Sequence, residues 1–208
     1  MSAATQGRLA LMLTELRLPT VKQLAVDICA QADREGWPGL RLLEALFEHE
    51  TAQREVRRIA RHRQESGLPP EKLLSSFEFE AVPAVSKAQI NALAEADAWI
   101  AQGANLLLFG PPGVGKTHLV AGLGHALIDA GHRILFTRTG DLVQRLQLAR
   151  RDLRLPQELA RLDRFDLLIL DDLSYVRRDQ AETSVLFELI AERYERRSLA
   201  ITANTPFS

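Results

Sequence analysis

Cysteine is almost absent from this chain, because Cys29 is the only one in 208 residues. A disulfide framework and a cysteine-rich metal site are therefore both excluded. Long apolar runs are missing as well, so no stretch has the length of a membrane span, and the first residues lack a signal-peptide pattern. We therefore expect a cytoplasmic protein that has no membrane partner.

An excess of charge of either sign is also lacking. The formal net charge is -1, with 25% charged and 46% hydrophobic residues, which is the composition of an ordinary soluble globular protein. Net charge therefore gives no general attraction for nucleic acid, and any DNA-binding surface must come from local clustering of basic residues. The length admits one large domain or two unequal ones.

The most informative stretch that is present is Asn105–Thr117, NLLLFGPPGVGKT. Its apolar start predicts a buried strand, which breaks at a glycine-rich loop and resumes as a helix from Lys116. The spacing is G-x-x-x-x-G-K-T, the P-loop pattern. The glycines let backbone N–H groups approach phosphate oxygens, Lys116 can reach the β- and γ-phosphates, and the Thr117 hydroxyl can bind Mg²⁺. A chance match in a glycine-rich turn is the alternative, but the strand and helix on either side favour a nucleoside triphosphate site.

A second apolar run, from Leu167 to Leu170, ends in Asp171 and Asp172. This pattern is typical of a central parallel strand whose carboxyl end meets the ligand in an open α/β sheet. Asp171 would support Mg²⁺ through its water shell, and Asp172 would orient or deprotonate the attacking water. Alone, the acid pair is weak evidence for a nucleotide site. It becomes strong evidence when it follows a P-loop by one strand-and-helix interval, as it does here.

Asn204 ends a later predicted strand and is expected at the same sheet edge as Asp171. There its amide could hydrogen-bond the γ-phosphate or the lytic water. The alternative is a turn-forming asparagine before Thr205 and Pro206. The position of Asn204 in the order of strands favours the functional interpretation.

The first part of the chain shows helical periodicity, and no strand signal precedes residue 100. The pattern predicts an all-helical N-terminal domain over 1–68, a linker over 69–85 and a nucleotide-binding domain over 86–208. In the linker, Phe77 and Phe79 could pack on the nucleotide-binding domain or flank a purine ring. Packing is the favoured interpretation.

Four arginines follow one another at spacings of three, one and three residues on the last predicted N-terminal helix: Arg54, Arg57, Arg58 and Arg61. They would share one helical face and could neutralise phosphates of a DNA backbone. No aromatic or amide residue is placed to read bases, so binding should be weakly sequence-selective. The alternative is a solvated face balanced by nearby glutamates, Glu50 among them. The arginine-rich segment 145–164 is a second candidate basic surface.

Several segments together resemble one known family: GPPGVGKTH, LLILDDL, the FELIAERYERRS helix with its ITAN strand end, and LLEALFEHETAQREVRRIARHR followed by LPPEKLLSSFEF. They resemble the IstB-type transposition helper ATPases of bacterial insertion sequences, which are relatives of the DnaC-type helicase loaders. The resemblance covers nearly the whole chain. It implies an AAA+ ATPase that uses ATP and Mg²⁺, assembles as a homo-oligomer on duplex DNA, and recruits and stimulates a transposase.

The resemblance also implies roles for individual residues. Lys116, Asp172 and Asn204 would act in catalysis, and Thr117 and Asp171 would hold the metal. The nucleotide-binding residues would be Gly110, Pro111, Pro112, Gly113, Val114, Gly115, Lys116, Thr117 and His118. Many AAA+ relatives have a glutamate where this chain has Asp172, so the shorter carboxylate suggests slow hydrolysis that suits a switch.

The fold implied by the resemblance is α/β, a parallel AAA+ sheet with strand order 5-1-4-3-2. Strands are counted near 105–109, 133–137, 166–171 and 198–203. The fifth strand, the arginine finger and the second sensor of the family would lie beyond Ser208. We therefore expect a truncated chain with four of the five core strands, a P-loop strand left at a sheet edge, and weak or absent hydrolysis.

Three other functions remain open. A replicative helicase loader would share the fold and the nucleotide site, and a nucleotide-gated DNA scaffold would bind ATP with negligible hydrolysis. A P-loop kinase acting on a small molecule would need a lid and an acceptor pocket, and it has no use for a helical N-terminal domain.

Overall fold

The computed structural model describes residues 3–95, 98–173 and 180–204. The chain divides into two compact units, residues 1–60 and 61–208. This division precedes the predicted domain boundary at residue 68, because the intervening residues contact the second unit. The His62 Nδ1 lies 3.2 Å from the carbonyl oxygen of His132, and the Leu68 side chain lies against Gly124.

In its described residues the first unit consists of helices joined by short turns, as predicted. Its helices are α1 (Ala3–Glu15), α2 (Pro19–Glu35) and the part of α3 (Gly39–Ser66) that precedes residue 61. The proline at the start of α2 is tolerated because the first turn has no use for its missing N–H. The buried core consists of Leu13, Val21, Ile28 and Leu46.

A buried carboxylate, that of Glu50, caps the start of α2. Its side chain is 3% exposed, and Oε2 accepts hydrogen bonds from the N–H groups of Thr20 (2.8 Å) and Val21 (3.1 Å). Oε1 accepts from the guanidinium groups of Arg54 (3.0 Å) and Arg57 (3.2 Å). Burial alone would raise the pKa of Glu50, but the N–H groups and Arg54 outweigh it and lower the pKa. Two arginines of the predicted DNA-binding face therefore also stabilise a helix start.

The second unit is built on a four-stranded parallel sheet with the order β1-β4-β3-β2. The strands are β1 (Leu106–Phe109), β2 (Ile134–Arg138), β3 (Leu167–Asp171) and β4 (Ser198–Ala203). This order confirms the predicted sequence 1-4-3-2. Every residue of β3 and β4 is buried, because each has a strand on both sides. Within the described ranges β1 is an outer strand, and Leu107 and Phe109 are 48% and 40% exposed.

Helices flank this sheet and follow the strands in the alternation typical of parallel α/β folds. They are α4 (Lys87–Glu95), α5 (Ala98–Ala101), α6 (Lys116–Asp129), α7 (Thr139–Arg151), α8 (Leu155–Leu162) and α9 (Gln180–Arg193). A cluster of buried apolar residues lies between the sheet and α7, α8 and α9. Among the helices in the described ranges, none combines the length and apolar character that crossing a membrane requires.

The predicted linker packs closely on α6. A Cβ added at Gly122 would lie 2.7 Å from the backbone nitrogen of Leu74, so only glycine admits this approach. Two 3₁₀ turns, Leu74–Ser76 and Phe79–Ala81, shape the segment. Phe79 is buried in a cluster with Ile90 and Leu119, which confirms the favoured packing interpretation for that residue.

A buried arginine closes the amino-terminal edge of the sheet. Arg193, 1% exposed, donates hydrogen bonds to the carbonyl oxygens of Leu162 (3.0 Å), Phe165 (2.9 Å) and Ser198 (3.0 Å). Burial lowers its pKa to about 10, so the guanidinium remains charged at neutral pH. It joins the chain segments that lead into β3 and β4.

We predict that Glu50→Gln lowers the free energy of unfolding by about 1–3 kcal/mol at pH 7, because a neutral amide cannot satisfy two backbone N–H groups and two guanidinium groups. The folded-state pKa of Glu50 is lowered, so its carboxylate stabilises the fold above the unfolded-state pKa and loses that contribution as pH falls through the folded-state value. The difference between wild type and E50Q should therefore be constant near neutrality and shrink below about pH 4.

Urea denaturation at several pH values measures this difference. Glu48→Gln is the matched control, because it removes an exposed carboxylate of the same helix. An equal loss in E48Q, or a difference that does not change with pH, would contradict the assigned role of Glu50.

Candidate nucleotide-binding site

The loop between β1 and α6 has the backbone that a P-loop requires. Gly113 and Gly115 have φ of +86° and +85°, a left-handed conformation that glycine adopts at no steric cost. Gly115 is also the N-cap of α6, so the positive end of the helix dipole faces the loop. A Cβ at Gly115 would lie 2.9 Å from Cε2 of Phe77, so glycine is needed there for space as well.

Lys116 connects this loop to the end of β4. Its Nζ donates hydrogen bonds to the carbonyl oxygens of Gly110 (2.8 Å) and Pro111 (2.9 Å). It also donates to Oδ1 of Asn204 (3.0 Å). Two residues that are 88 positions apart in sequence therefore meet beside the loop. This is the edge of the sheet at which Asn204 was expected.

Thr117 and Asp171 form the second link between the loop and the sheet. The Thr117 hydroxyl lies 2.9 Å and 3.0 Å from the two carboxylate oxygens of Asp171, and Asp171 is 6% exposed. A hydroxyl and one carboxylate suit Mg²⁺, which usually takes one or two protein ligands together with substrate phosphates and water. Consistent with this, the described residues contain no group of three His, Cys, Asp or Glu side chains arranged to hold a metal by themselves.

Asp172 follows β3 in a conformation that is uncommon for a residue with a side chain. Its φ is +57°, and its N–H donates to the Thr202 hydroxyl at 2.8 Å. Its Oδ1 accepts from Nδ2 of Asn204 at 3.3 Å. Asp172 and Asn204 are both exposed, so a water molecule can reach the pair. Thr205 and Pro206, on which the alternative interpretation of Asn204 depends, lie outside the described residues.

Thr202 also belongs to this cluster, although no sequence motif points to it. Its hydroxyl donates to Oδ1 of Asp171 at 2.7 Å, and the residue is 1% exposed. The signal in the sequence is a threonine between apolar residues of the strand SLAITA, because a buried hydroxyl needs a partner.

A cleft of about 890 Å³ adjoins the loop on the β1 side. Its walls are mainly apolar and include Phe77, Val82, Val85, Leu93, Val114 and Leu119. Phe77 lines both the cleft and the loop, with its ring edge toward Phe79 at 4.8 Å between centroids. A planar base can lie against such walls once its phosphates occupy the loop.

The remaining predicted residues occupy other positions. His118 Nε2 lies 3.0 Å from the Leu73 carbonyl oxygen and 3.2 Å from the Ser76 hydroxyl, so its ring is held by the segment that packs on α6. Arg58 forms an exposed ion pair with Glu55, and Arg61 is exposed. Both belong to the predicted basic face with Arg54 and Arg57, the two arginines that also bond Glu50.

We predict that Gly115→Ala weakens ATP binding more than Gly113→Ala. Both variants force alanine into a left-handed conformation at about 1–2 kcal/mol, or roughly tenfold in affinity. A methyl at 115 also meets the Phe77 ring, whereas a methyl at 113 meets nothing within 4 Å. Titration with a fluorescent ATP analogue measures both affinities.

Adding Phe77→Leu to G115A is the control, because it removes the ring contact and leaves the backbone strain. Partial recovery of affinity is expected. Equal losses in G113A and G115A would show that the Phe77 contact does not matter.

Known proteins resemble this chain in sequence and in fold. Residues 11–208 match the family described as "IstB-like ATP binding protein". An insertion sequence ATP-binding protein of Sinorhizobium fredii is 64% identical over 202 residues, which are 97% of this chain and 68% of that protein. An IS21 ATP-binding protein of Pseudomonas aeruginosa is 32% identical over 200 residues, or 96% of this chain and 75% of that protein.

Among solved structures, AMPPCP-bound DnaA from Aquifex aeolicus superposes with a TM-score of 0.58 at 19% identity, covering 68% of this chain and 44% of that one. This likeness shows the fold, the α/β P-loop domain of AAA+ proteins. The prediction that truncation weakens hydrolysis has no support in these comparisons. Since the family matches nearly the whole chain and a relative shares 64% identity with it, the protein belongs to the IstB-like ATP-binding protein family.

Proposed function

We propose that this protein is an ATPase that assembles on duplex DNA in an ATP-dependent manner and helps a transposase during insertion-sequence transposition. The observation that carries the proposal is the meeting of Lys116 with Asn204 at 3.0 Å and of Thr117 with Asp171 at 2.9 Å. A P-loop, a carboxylate and an amide then share one edge of the sheet, in a chain whose relatives are insertion sequence ATP-binding proteins.

In this proposal the loop backbone binds the phosphates through its N–H groups, and Lys116 exchanges its carbonyl and amide partners for β- and γ-phosphate oxygens. Thr117 and Asp171 would hold Mg²⁺, which would neutralise charge on the phosphates. Asp172 accepts a proton from the attacking water, and Asn204 orients that water or the γ-phosphate. The cleft beside β1 receives the base.

The geometry of Asp172 and Asn204 supports hydrolysis over storage of ATP. The Asn204 Nδ2 lies 3.3 Å from Asp172 Oδ1, so an amide and a carboxylate stand together where open α/β sheets bind their ligands. A general base contributes about 10²–10⁴-fold to rate. The shorter reach of aspartate fits slow turnover, as expected of an assembly switch.

The proposed DNA contacts fall mainly on Arg58 and Arg61. Arg54 and Arg57 remain candidates because their side chains are 54% and 49% exposed, but they also bond the buried Glu50 carboxylate. Arg58 pairs with Glu55, which is itself half-exposed, and such a surface pair contributes little and can exchange its partner. Contacts to phosphates would give weak sequence selectivity.

A helicase loader is the second candidate, and it would use the same nucleotide site with a replicative helicase as partner. The insertion-sequence relatives favour the transposase. Pull-down of purified transposase and of purified replicative helicase, each with and without ATP and duplex DNA, separates the two.

We predict that Lys116→Ala abolishes ATP binding and ATP-dependent assembly, because the loop loses its only side-chain cation for the phosphates. Asp172→Asn should retain ATP affinity and assembly but lose about 100-fold or more in hydrolysis, because an amide cannot accept the proton. Phosphate release with and without duplex DNA, and sizing of complexes on DNA, measure the two effects.

The wild-type protein discriminates among the other hypotheses in the same assays. ATP-dependent assembly without phosphate release would favour the nucleotide-gated scaffold. Transfer of phosphate to a small molecule in place of water would favour the kinase and contradict the proposal.

We also predict that Arg58→Gln combined with Arg61→Gln weakens binding to all duplex sequences alike. The slope of log K against log salt should become shallower by about 0.9 for each lost phosphate contact. ATP affinity should not change. Filter binding over a range of salt concentrations measures the DNA affinity and its salt slope. Titration with a fluorescent ATP analogue measures the ATP affinity.

Arg196→Gln is the matched control, because Arg196 is an exposed arginine that pairs with Glu192 and lies outside both candidate basic surfaces. If R58Q/R61Q binds DNA like wild type, the contact surface lies elsewhere, with Arg161 and Arg164 as the next residues to test.

A further inference from the structure

We propose that Thr202 is a positioning residue, which sets the orientation of the Asp171 carboxylate for Mg²⁺ and of the Asp172 backbone for hydrolysis. This inference rests on the proposed ATPase function and adds to it a residue from β4. Thr202 does not reach the nucleotide itself. It acts through the two acids that follow β3.

The evidence begins with the hydrogen bonds of a single hydroxyl. The Thr202 Oγ1 donates its only proton to Oδ1 of Asp171 at 2.7 Å. The same oxygen accepts the N–H of Asp172 at 2.8 Å. One hydroxyl therefore holds the side chain of the first acid and the backbone of the second.

The surroundings keep this hydroxyl in one place. Thr202 is 1% exposed and pairs with Leu108 of β1, while its carbonyl oxygen accepts the N–H of Leu173 at 2.8 Å. The backbone is thus fixed by strand pairing on one side and by the turn after β3 on the other. A β-branched side chain on such a backbone has few accessible rotamers, so the hydroxyl is pre-oriented.

This arrangement restricts the metal-side carboxylate. Thr117 approaches both oxygens of Asp171, at 2.9 Å and 3.0 Å, and so does not select one of them. Thr202 bonds only Oδ1. The bond from β4 therefore sets how the Asp171 carboxylate is turned about its last torsion relative to Thr117 and the phosphate loop.

The same hydroxyl also affects the catalytic side. Asp172 has φ of +57°, a conformation that costs a non-glycine residue of its type some free energy and persists only where neighbours hold it. The Thr202–Asp172 bond supplies that restraint. The resulting backbone presents Asp172 Oδ1 to Asn204 at 3.3 Å.

A matched control is available at the start of α7, where Thr139 bonds the same acid. Thr139 is 0% exposed, and its hydroxyl donates to Asp171 at 2.9 Å. That bond goes to the backbone carbonyl oxygen of Asp171 and not to the carboxylate. Loss of either hydroxyl removes one buried hydrogen bond to Asp171, but only the loss at 202 frees the carboxylate.

The experiment compares Thr202→Val, Thr202→Ser and Thr139→Val in the full chain. The readout is the affinity for a fluorescent ATP analogue, titrated against Mg²⁺ and repeated in EDTA. For T202V we expect the Mg²⁺ concentration at half effect to rise about tenfold, the lower end of the usual 10–100-fold cost of losing an outer-shell partner. Affinity in EDTA should stay at the wild-type value.

The other variants separate positioning from stability. T202S keeps the hydroxyl and should restore the wild-type Mg²⁺ dependence. T139V should lower the melting temperature without moving the Mg²⁺ dependence. Thr202→Ala provides the same deletion of the hydroxyl if T202V folds poorly.

Two results would overturn the inference. One is a T202V protein with the Mg²⁺ dependence of wild type, and the other is an equal shift in T139V. A wild-type protein whose ATP affinity does not respond to Mg²⁺ at all would instead overturn the proposed function, and with it the role of Thr202.

Discussion

The hydrogen bond between Thr117 and Asp171 is the interaction on which the arrangement of the site depends. It joins the first turn of α6 to the end of β3, two segments that are 54 residues apart in the chain. Parallel pairing makes the bond possible, because it brings the carboxyl ends of β1, β3 and β4 to one edge. With the loop next to β3, Lys116 reaches the end of β4, where it meets Asn204. Each pair restricts the next, so the site is ordered by the sheet and not by the loop alone.

The parts of this architecture that follow from local chemistry could be predicted from the sequence. The apolar runs ending in Gly110, Asp171 and Asn204 gave the strands, and the order 1-4-3-2 followed from the resemblance and was confirmed. Thr202 and Glu50 could not be found in that way. Their roles depend on partners about 30 residues away, Asp171 and the N–H groups of α2. Sequence periodicity indicates which residues are buried. It does not indicate which atom forms the hydrogen bond with a buried polar group.

Arginine illustrates the same limit, because one residue type has several physical roles in this protein. Arg54 and Arg57 form ion pairs with the buried carboxylate of Glu50, whereas Arg58 forms an exposed ion pair with Glu55. All three looked alike as members of one helical face. Arg193 is buried and donates hydrogen bonds to backbone carbonyl oxygens, although the exposed Arg196 follows it closely in sequence. Spacing alone therefore overestimates how many arginines are available to contact DNA. The role of each arginine follows from the groups that accept its hydrogen bonds.

The close contact between the segment around Leu74 and α6 has a consequence for protein engineering. Gly122 faces the Leu74 backbone, and Gly115 faces the Phe77 ring, with no room for a side chain at either position. The 3₁₀ segment and the P-loop helix therefore form one tightly packed surface, in which the side chains of each segment are matched to those of the other. A chimera that exchanges the helical first unit between relatives should place its junction before residue 61, so that this surface is inherited from a single parent. A junction in the apparent linker at 69–85 would instead divide the surface and disturb the loop that binds phosphate.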